Sequence, residues 1–244
     1  MKTPAPVAPR TLFVTGTDTG VGKTRAACAL IAAARAQGID ACGYKPVASG
    51  CEQTPEGLRN DDALALLRAS GGNESYAAIN PLAFAPAIAP HLAARDAGLT
   101  IETVRLEVAH AQLCARHELI VVEGAGGWQV PLNETQTFAD WVAARQWPVV
   151  LVVALRLGCL NHALLSAEAI QRRSPLVGWI ANILPPAQAR WQDNIEALRT
   201  RINAPLWGVI GDHADAGTAQ QAVAVGPYRD WLAASAASDE KIRR

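Results

Sequence analysis

A glycine-rich segment that ends in lysine and threonine follows the first apolar stretch of the chain. Residues 12–15 predict a short β-strand, and residues 16–24 continue as GTDTGVGKT. Glycines allow backbone amides to face phosphate oxygens, and a helix N-terminus adds a partial positive charge. Lys23 would reach the terminal phosphates of a nucleotide, and the Thr24 hydroxyl would bind Mg²⁺. The segment predicts a phosphate-binding loop, although the strict spacing requires glycine where this chain has Thr17; the alternative is a turn that binds nothing.

Charged side chains follow two other predicted elements. Lys45 lies near the end of the second predicted strand, and Glu123 directly follows a buried one. A carboxylate at that place needs a charge partner, and Mg²⁺ prefers few carboxylates beside water and phosphate oxygens. Asp61 and Asp62 open a helix after an asparagine, so either could simply stabilise the helix N-terminus. For Lys45 the alternative is a solvated lysine at a strand end.

Three later segments are candidates for ligand contacts of other kinds. Residues 158–161 enter a predicted helix, whose N-terminus offers amides to an anion such as a carboxylate. Asn182 ends a strand, and its amide could pair with an adenine edge or form a turn. Residues 124–128 begin like a dinucleotide turn but lack the third glycine, which argues against a nicotinamide site.

The elements that must position these residues alternate between strand and helix along the chain. Continuous apolar strands predict a mostly parallel sheet covered on both faces, and ligands bind at the carboxyl ends of such strands. We therefore predict an α/β fold, a three-layer sandwich of the P-loop NTPase type, as one domain over residues 1–244 with flexible tails at 1–10 and 238–244. Residues 71–100 are expected to form an extended excursion. The predicted strands are 12–15, 42–47, 119–122, 149–154, 176–181 and 206–210, and the predicted helices are 24–37, 61–68, 101–116, 161–172, 187–202 and 230–237.

Composition narrows the classes of function. Lys and Arg together number 22, as do Asp and Glu, so no net charge favours nucleic acid or an anionic membrane. Five widely spaced cysteines without a Cys-x-x-Cys pair argue against a disulfide framework or a zinc site. The N-terminus lacks the apolar core of a signal peptide, and no apolar run is long enough to span a bilayer. We expect a cytoplasmic protein.

Six segments together resemble the dethiobiotin synthetase family. They occur in the family's order over roughly residues 12–211, and the lysine-containing GYKPVASG and the glycine-rich VVEGAGGW are the most specific. Many family members carry glutamate where this chain has Gly20, and residues 212–226, which help to form the family's base pocket, match poorly. The segments are 13–19 (FVTGTDT), 21–24 (VGKT), 43–50 (GYKPVASG), 54–60 (TPEGLRN), 121–128 (VVEGAGGW) and 157–162 (LGCLNH).

The resemblance implies ATP- and Mg²⁺-dependent carboxylation and ring closure of 7,8-diaminopelargonic acid with CO₂. The products would be dethiobiotin, ADP and phosphate, formed through a carbamate and a carbamic–phosphoric anhydride. It also implies a homodimer, in which the start of a partner helix meets the substrate carboxylate. The implied catalytic residues are Thr19, Lys23 and Lys45; the ATP-binding residues Gly20, Val21, Gly22, Lys23, Thr24, Asp62, Glu123 and Asn182; the substrate-binding residues Thr19, Lys45, Ser49, Gly158, Cys159 and Asn161; and the metal ligands Thr24, Asp62 and Glu123.

Three other functions are compatible with a phosphate-binding loop. A partitioning-type ATPase would carry a signature lysine early in the loop, where this chain has Asp18. An amide-forming ligase of corrinoid synthesis would need a further glutaminase domain. A regulatory domain without catalytic activity would not need Lys23, Lys45 and Glu123 intact.

Overall fold

The computed structural model describes residues 10–212, 216–224 and 226–242. Ten strands and ten helices lie within these residues. They are, in chain order, β1 (Arg10–Gly16), α1 (Lys23–Ala36), β2 (Ala41–Tyr44), β3 (Val47–Ala48), β4 (Glu52–Thr54), β5 (Gly57–Arg59), α2 (Asp61–Ala69), α3 (Tyr76–Ile79), β6 (Leu82–Ala83), α4 (Pro90–Asp96), α5 (Thr103–Cys114), β7 (Leu119–Gly127), α6 (Phe138–Ala143), β8 (Val149–Ala154), α7 (Cys159–Gln171), β9 (Leu176–Asn182), α8 (Trp191–Arg199), β10 (Leu206–Ile210), α9 (Ala216–Ala224) and α10 (Pro227–Ile242).

Six parallel strands form the central sheet in the order β10-β9-β8-β1-β7-β2. Every residue of β8, and residues 119–124 of β7, are buried, so helices cover both faces of the sheet. This architecture confirms the predicted α/β fold. None of the helices in the described residues combines the length and the apolar surface that a membrane-spanning helix requires.

The register of the sheet brings the predicted charged residues to one edge. Val14 of β1 pairs with Glu123 of β7, and Tyr44 at the end of β2 pairs with Val122. Lys45 therefore leaves the sheet next to Glu123, and β1 turns into the phosphate loop beside both. β7 extends to Gly127, so Glu123 lies within the strand rather than after a strand that ends at Val122.

Two predicted segments differ from the structure. The expected single strand 42–47 is two strands, because the chain leaves the main sheet at Lys45, whose amide donates to the Ile79 carbonyl, and Pro46 has no amide to donate. The expected excursion 71–100 contains α3, β6 and α4; α3 is capped by Ser75, and α4 carries proline in its first turn. β6 pairs with β3 in a small parallel sheet beside the pocket.

The outer parts of the chain are only partly described. Arg10 is the first residue of β1, and α10 continues to Ile242, whereas 1–9 and 243–244 lie outside the described residues. The flexible tails expected at 1–10 and 238–244 therefore stay a prediction. Of the poorly matching segment 212–226, residues 213–215 and 225 also lie outside, and 216–224 form α9.

Candidate active site

The phosphate loop connects β1 to α1 through a glycine in the left-handed conformation. Gly22 caps α1 with φ 91°, and a Cβ atom at this position would lie 2.1 Å from Nδ2 of Asn182, so only glycine fits. The same Asn182 amide donates to the carbonyl of Val21 over 2.9 Å. Gly20 also has a positive φ, 71°, but a Cβ there would meet no atom within 4 Å, so open space surrounds this position.

Lys23 is a buried cation at the start of α1. Its side chain donates from Nζ to the Asp18 carbonyl over 3.0 Å, and only 6% of the residue is exposed. Burial, and then the positive charge of Lys45, lower the pKa of Lys23 to about 8, although nearby carboxylates oppose this shift. Lys23 therefore presents a positive charge that water screens poorly.

Lys45 lies between two carboxylates. Its Nζ donates to Glu123 Oε1 over 2.7 Å, to Asp62 Oδ2 over 2.9 Å and to the Gly124 carbonyl over 3.3 Å. Burial alone would lower the pKa of Lys45, but the charges of Glu123 and Asp62 raise it. The ammonium group is charged, and three acceptors surround it.

The hydroxyl of Thr24 lies beside the same two acids. Its Oγ1 is 2.7 Å from Asp62 Oδ1 and 2.9 Å from Glu123 Oε1, and it donates its single hydrogen within this pair. Glu123 Oε2 is buried and has no hydrogen-bond partner among the described residues. Burial raises the pKa of Glu123 against the effect of Lys45, whereas burial of Asp62 is outweighed by Lys45 and Thr24, which lower its pKa.

These groups line a cavity of about 630 Å³, a volume typical of small-ligand sites. Its far wall is apolar and comes from residues 87–90 and Val130, which the sequence did not identify. Apolar residues in a segment without periodicity carry no chemical signature, so only the folded chain places them there. The predicted residues that line the cavity are Thr19, Gly20, Gly22, Lys23, Thr24, Lys45, Ser49, Asp62 and Glu123.

Two residues that were predicted to contact the nucleotide are buried behind the phosphate loop and do not line the cavity. Val21 and Asn182 are fully buried. Besides holding the Val21 carbonyl, Asn182 accepts at Oδ1 from Arg25 over 3.3 Å, and Arg25 also donates to the Gly211 carbonyl over 2.6 Å. Asn182 thus braces the phosphate loop against the segment after β10.

The start of α7 is not brought into the cavity of its own chain. Gly158 caps the helix with φ 92°, and the buried Cys159 donates its amide to the Arg156 carbonyl over 2.9 Å. Asn161 is exposed in the first turn. None of these three predicted substrate contacts lines the cavity, as far as the described residues define it.

Comparisons with known proteins agree with the motifs and with the sheet. A family model described as an AAA domain matches residues 10–219. An ATP-dependent dethiobiotin synthetase from Xanthomonas oryzae pv. oryzae is 52% identical, over 88% of this chain and 96% of the relative. A second one, from Pseudomonas paraeruginosa, is also 52% identical, over 85% of this chain and 92% of the relative.

The chain belongs to the dethiobiotin synthetase family. The solved structure of the MinD cell division protein of Aquifex aeolicus has a TM-score of 0.53 and covers 92% of this chain and 97% of MinD. At 14% identity that likeness shows the fold alone, which is of the P-loop NTPase type. The dethiobiotin synthetase relatives, by contrast, are 52% identical in sequence over most of the chain.

Proposed function

We propose that this chain uses ATP to close a urea ring on 7,8-diaminopelargonic acid with CO₂, which yields dethiobiotin, ADP and phosphate. The observation that carries the proposal is the convergence of Lys23, Lys45, Asp62 and Glu123 in one cavity beside the phosphate loop. Membership of the dethiobiotin synthetase family supports the same reaction. The enzyme is an ATP-dependent ligase that forms carbon–nitrogen bonds.

The phosphate loop would hold the triphosphate of ATP. Lys23 would reach its terminal end, because its buried side chain lines the cavity and, among the described residues, its ammonium group donates only to the Asp18 carbonyl. Amides of Gly20 to Gly22 and the start of α1 supply further positive potential. Phosphoryl transfer depends mainly on such positioning and neutralisation of charge.

Thr24, Asp62 and Glu123 fit a Mg²⁺ ion. Two carboxylates and a hydroxyl are the oxygen donors that Mg²⁺ takes from proteins, and the buried Glu123 Oε2 lacks a hydrogen-bond partner among the described residues. When bound, Mg²⁺ supplies charge neutralisation at the phosphate oxygens.

Lys45 would stabilise the groups that react. One substrate amine captures CO₂ and loses a proton, which gives a carbamate; a carbamate oxygen then attacks the γ-phosphorus and expels ADP. The second amine attacks the carbamic–phosphoric anhydride, closes the five-membered ring and expels phosphate. Lys45 is the buried cation nearest the acids, so one of its three hydrogen bonds would be exchanged for a carbamate or phosphoryl oxygen.

Thr19 and Ser49 would orient the diamine end of the substrate, since both line the cavity close to Lys45 and the loop. Because ring closure is intramolecular, correct orientation supplies much of its rate. The adenine base would lie towards Asn182. Because Asn182 lies under the loop and donates to it, this residue would also support nucleotide binding indirectly by holding the loop in place.

We further propose a homodimer of single-domain chains in which the start of α7 serves the partner's cavity. Three leucines around that start are exposed: Leu157 at 91%, Leu165 at 58% and Leu160 at 36%. Exposed apolar side chains near a helix start favour contact with another chain. The amides near Gly158 and Asn161 would then meet the substrate carboxylate. All five cysteines are free thiols, which supports a reducing compartment, the cytoplasm.

The decisive experiment measures phosphate release from ATP with the diamine and bicarbonate each omitted in turn. The proposal predicts rapid release only in the complete mixture with Mg²⁺. Release that ignores the diamine, or that DNA or a partner protein stimulates, would support an ATPase switch and refute the ligase.

A further inference from the structure

One ion pair joins the phosphate loop to the start of α7. Arg156 donates from Nη2 to Asp18 Oδ2 over 2.6 Å, although the two residues are 138 positions apart. The proposed function assigns these two segments to opposite ends of the substrate. No role for either side chain follows from the phosphate chemistry itself.

Each partner is also tied to a residue of the proposed site. Asp18 Oδ1 accepts from the Thr19 amide over 2.7 Å, and the Asp18 carbonyl accepts from Lys23. The Arg156 carbonyl accepts from the amide of Cys159, the first residue of α7. A continuous path of hydrogen bonds therefore leads from Lys23 and Thr19 to the first turn of α7.

The charges around Asp18 reinforce this connection. The Thr19 amide, then Arg156 and finally His162 hold the pKa of Asp18 below its ordinary value, against the effect of its slight burial. His162 lies in the first turn of α7, so its effect on Asp18, like that of Arg156, comes from the region where α7 begins. Asp18 is therefore ionised near neutral pH and remains an acceptor for Arg156.

The pair is too exposed to serve mainly as a source of folding stability. The Arg156 side chain is 46% exposed and that of Asp18 is 51% exposed, and ion pairs in such surroundings contribute little to stability. A contact that restricts the long side chain of Arg156 without much stabilisation is better explained by the geometry that it fixes.

We propose that Arg156 is a positioning residue which, through Asp18, holds Thr19 and the start of α7 in one arrangement. This inference rests on the proposed function, because it needs the phosphate loop and the start of α7 to contact opposite ends of the diamine substrate, each in its own site of the dimer. Where the start of α7 serves the partner's cavity, the pair connects the phosphate loop of one site to the carboxylate end of the other.

A double-mutant cycle tests the proposal. We would compare Arg156→Gln, Asp18→Asn and the double variant in kcat/KM for the diamine, in affinity for ATP without diamine, in melting temperature and in the amide NMR shift of Thr19. Arg156→Lys tests rescue, and Arg172→Gln is the matched control, since Arg172 pairs with Glu168 on the exposed far end of the same helix.

We expect each single variant to lower kcat/KM for the diamine by about two- to fivefold, with no further loss in the double variant. Both single variants should shift the Thr19 amide resonance and leave the melting temperature unchanged. Arg156→Lys should recover most of the loss. High salt should bring the wild type towards Arg156→Gln, because it screens an exposed pair.

Three results would overturn the proposal. Losses that multiply in the double variant would show that the two residues act separately. An effect of Arg156→Gln without any effect of Asp18→Asn would indicate that Arg156 contacts the substrate directly. Variants that match Arg172→Gln would leave the pair without a role. A wild type that fails to turn over the diamine would instead refute the proposed function, and the Thr19 shift would still report on the pair.

Discussion

The cavity and the start of α7 differ in how much of a binding site a single chain completes. In the cavity, Lys45 Nζ lies 2.7 Å from an oxygen of Glu123 and 2.9 Å from an oxygen of Asp62, so its charge is paired inside the fold. At the start of α7, Gly158 and Asn161 lie on the surface near exposed leucines, and among the described residues the cavity lining does not include them. Buried charges need partners within their own chain, whereas an exposed helix start can be completed as a binding site by a second chain.

The largest effect is expected when the Lys45 cation is removed from the cavity. Lys45→Ala should lower kcat by about a thousandfold, since a preorganised donor to developing charge is lost. The affinity for ATP, measured by calorimetry, should stay within about threefold of wild type, because Lys23 and the loop remain. Lys45→Arg keeps the charge and serves as the control. Turnover at the wild-type rate in Lys45→Ala would show that the buried pair is structural only.

The next effect tests whether the start of α7 is completed by another chain. Asn161→Asp would place a negative charge where the substrate carboxylate is proposed to bind and should raise KM for the diamine about 10- to 100-fold. Co-expressed with Lys45→Ala under two purification tags, it should form mixed dimers with one intact site each, so a random mixture recovers about a quarter of wild-type activity. Leu157→Asp, which disturbs only the exposed apolar surface, should lower dimer stability in sedimentation.

No recovery of activity in isolated mixed dimers would place both functions in one chain. A protein that is monomeric at all concentrations would also place both functions in one chain. The proposed difference between the cavity and the start of α7 would then be wrong.

An effect of comparable size tests the role of Glu123 in the proposed metal site. Glu123→Gln removes the buried charge that Lys45 and the proposed Mg²⁺ share, and should weaken the apparent Mg²⁺ affinity about 10- to 100-fold in assays of initial rate. Glu134→Gln, an exposed acid away from the cavity, is the control. Mg²⁺ dependence that is unchanged in Glu123→Gln would remove this residue from the metal site.

The smallest effect is a pH dependence that belongs to the buried region alone. The pKa of Lys23 falls from 10.5 to about 8 in the folded protein. The charged form is the one that binds phosphate, so ATP affinity should decline as pH rises through about 8, while the folding stability contributed by this group increases between about 8 and 10.5. Only four lysines occur, Lys2, Lys23, Lys45 and Lys241, so lysine side-chain NMR can follow each titration. If every signal titrates near 10.5, the cavity does not desolvate Lys23.

The sequence predicted the charged residues of the cavity better than the other contacts of the site. The loop motif identified Lys23 and Thr24, and the rule that ligands bind at the carboxyl ends of parallel strands made Lys45 and Glu123 candidates for the site. It could not predict the apolar wall at Ile88 and Val130, because apolar residues have no distinguishing chemistry. Nor could it predict that Asn182 lies beneath Gly22. The two residues are far apart in the chain, and the contact is possible only because Gly22 has no side chain.

The central claim is that nucleotide cleavage in the cavity is coupled to ring formation. Its most direct test supplies ¹³C-labelled bicarbonate, the diamine, ATP and Mg²⁺, and follows both the labelled carbon by NMR and the ADP formed. The account predicts that the label appears in the urea carbon of the product, with one ADP for each ring. ADP formation without a labelled ring, or a labelled ring without ADP, would contradict it.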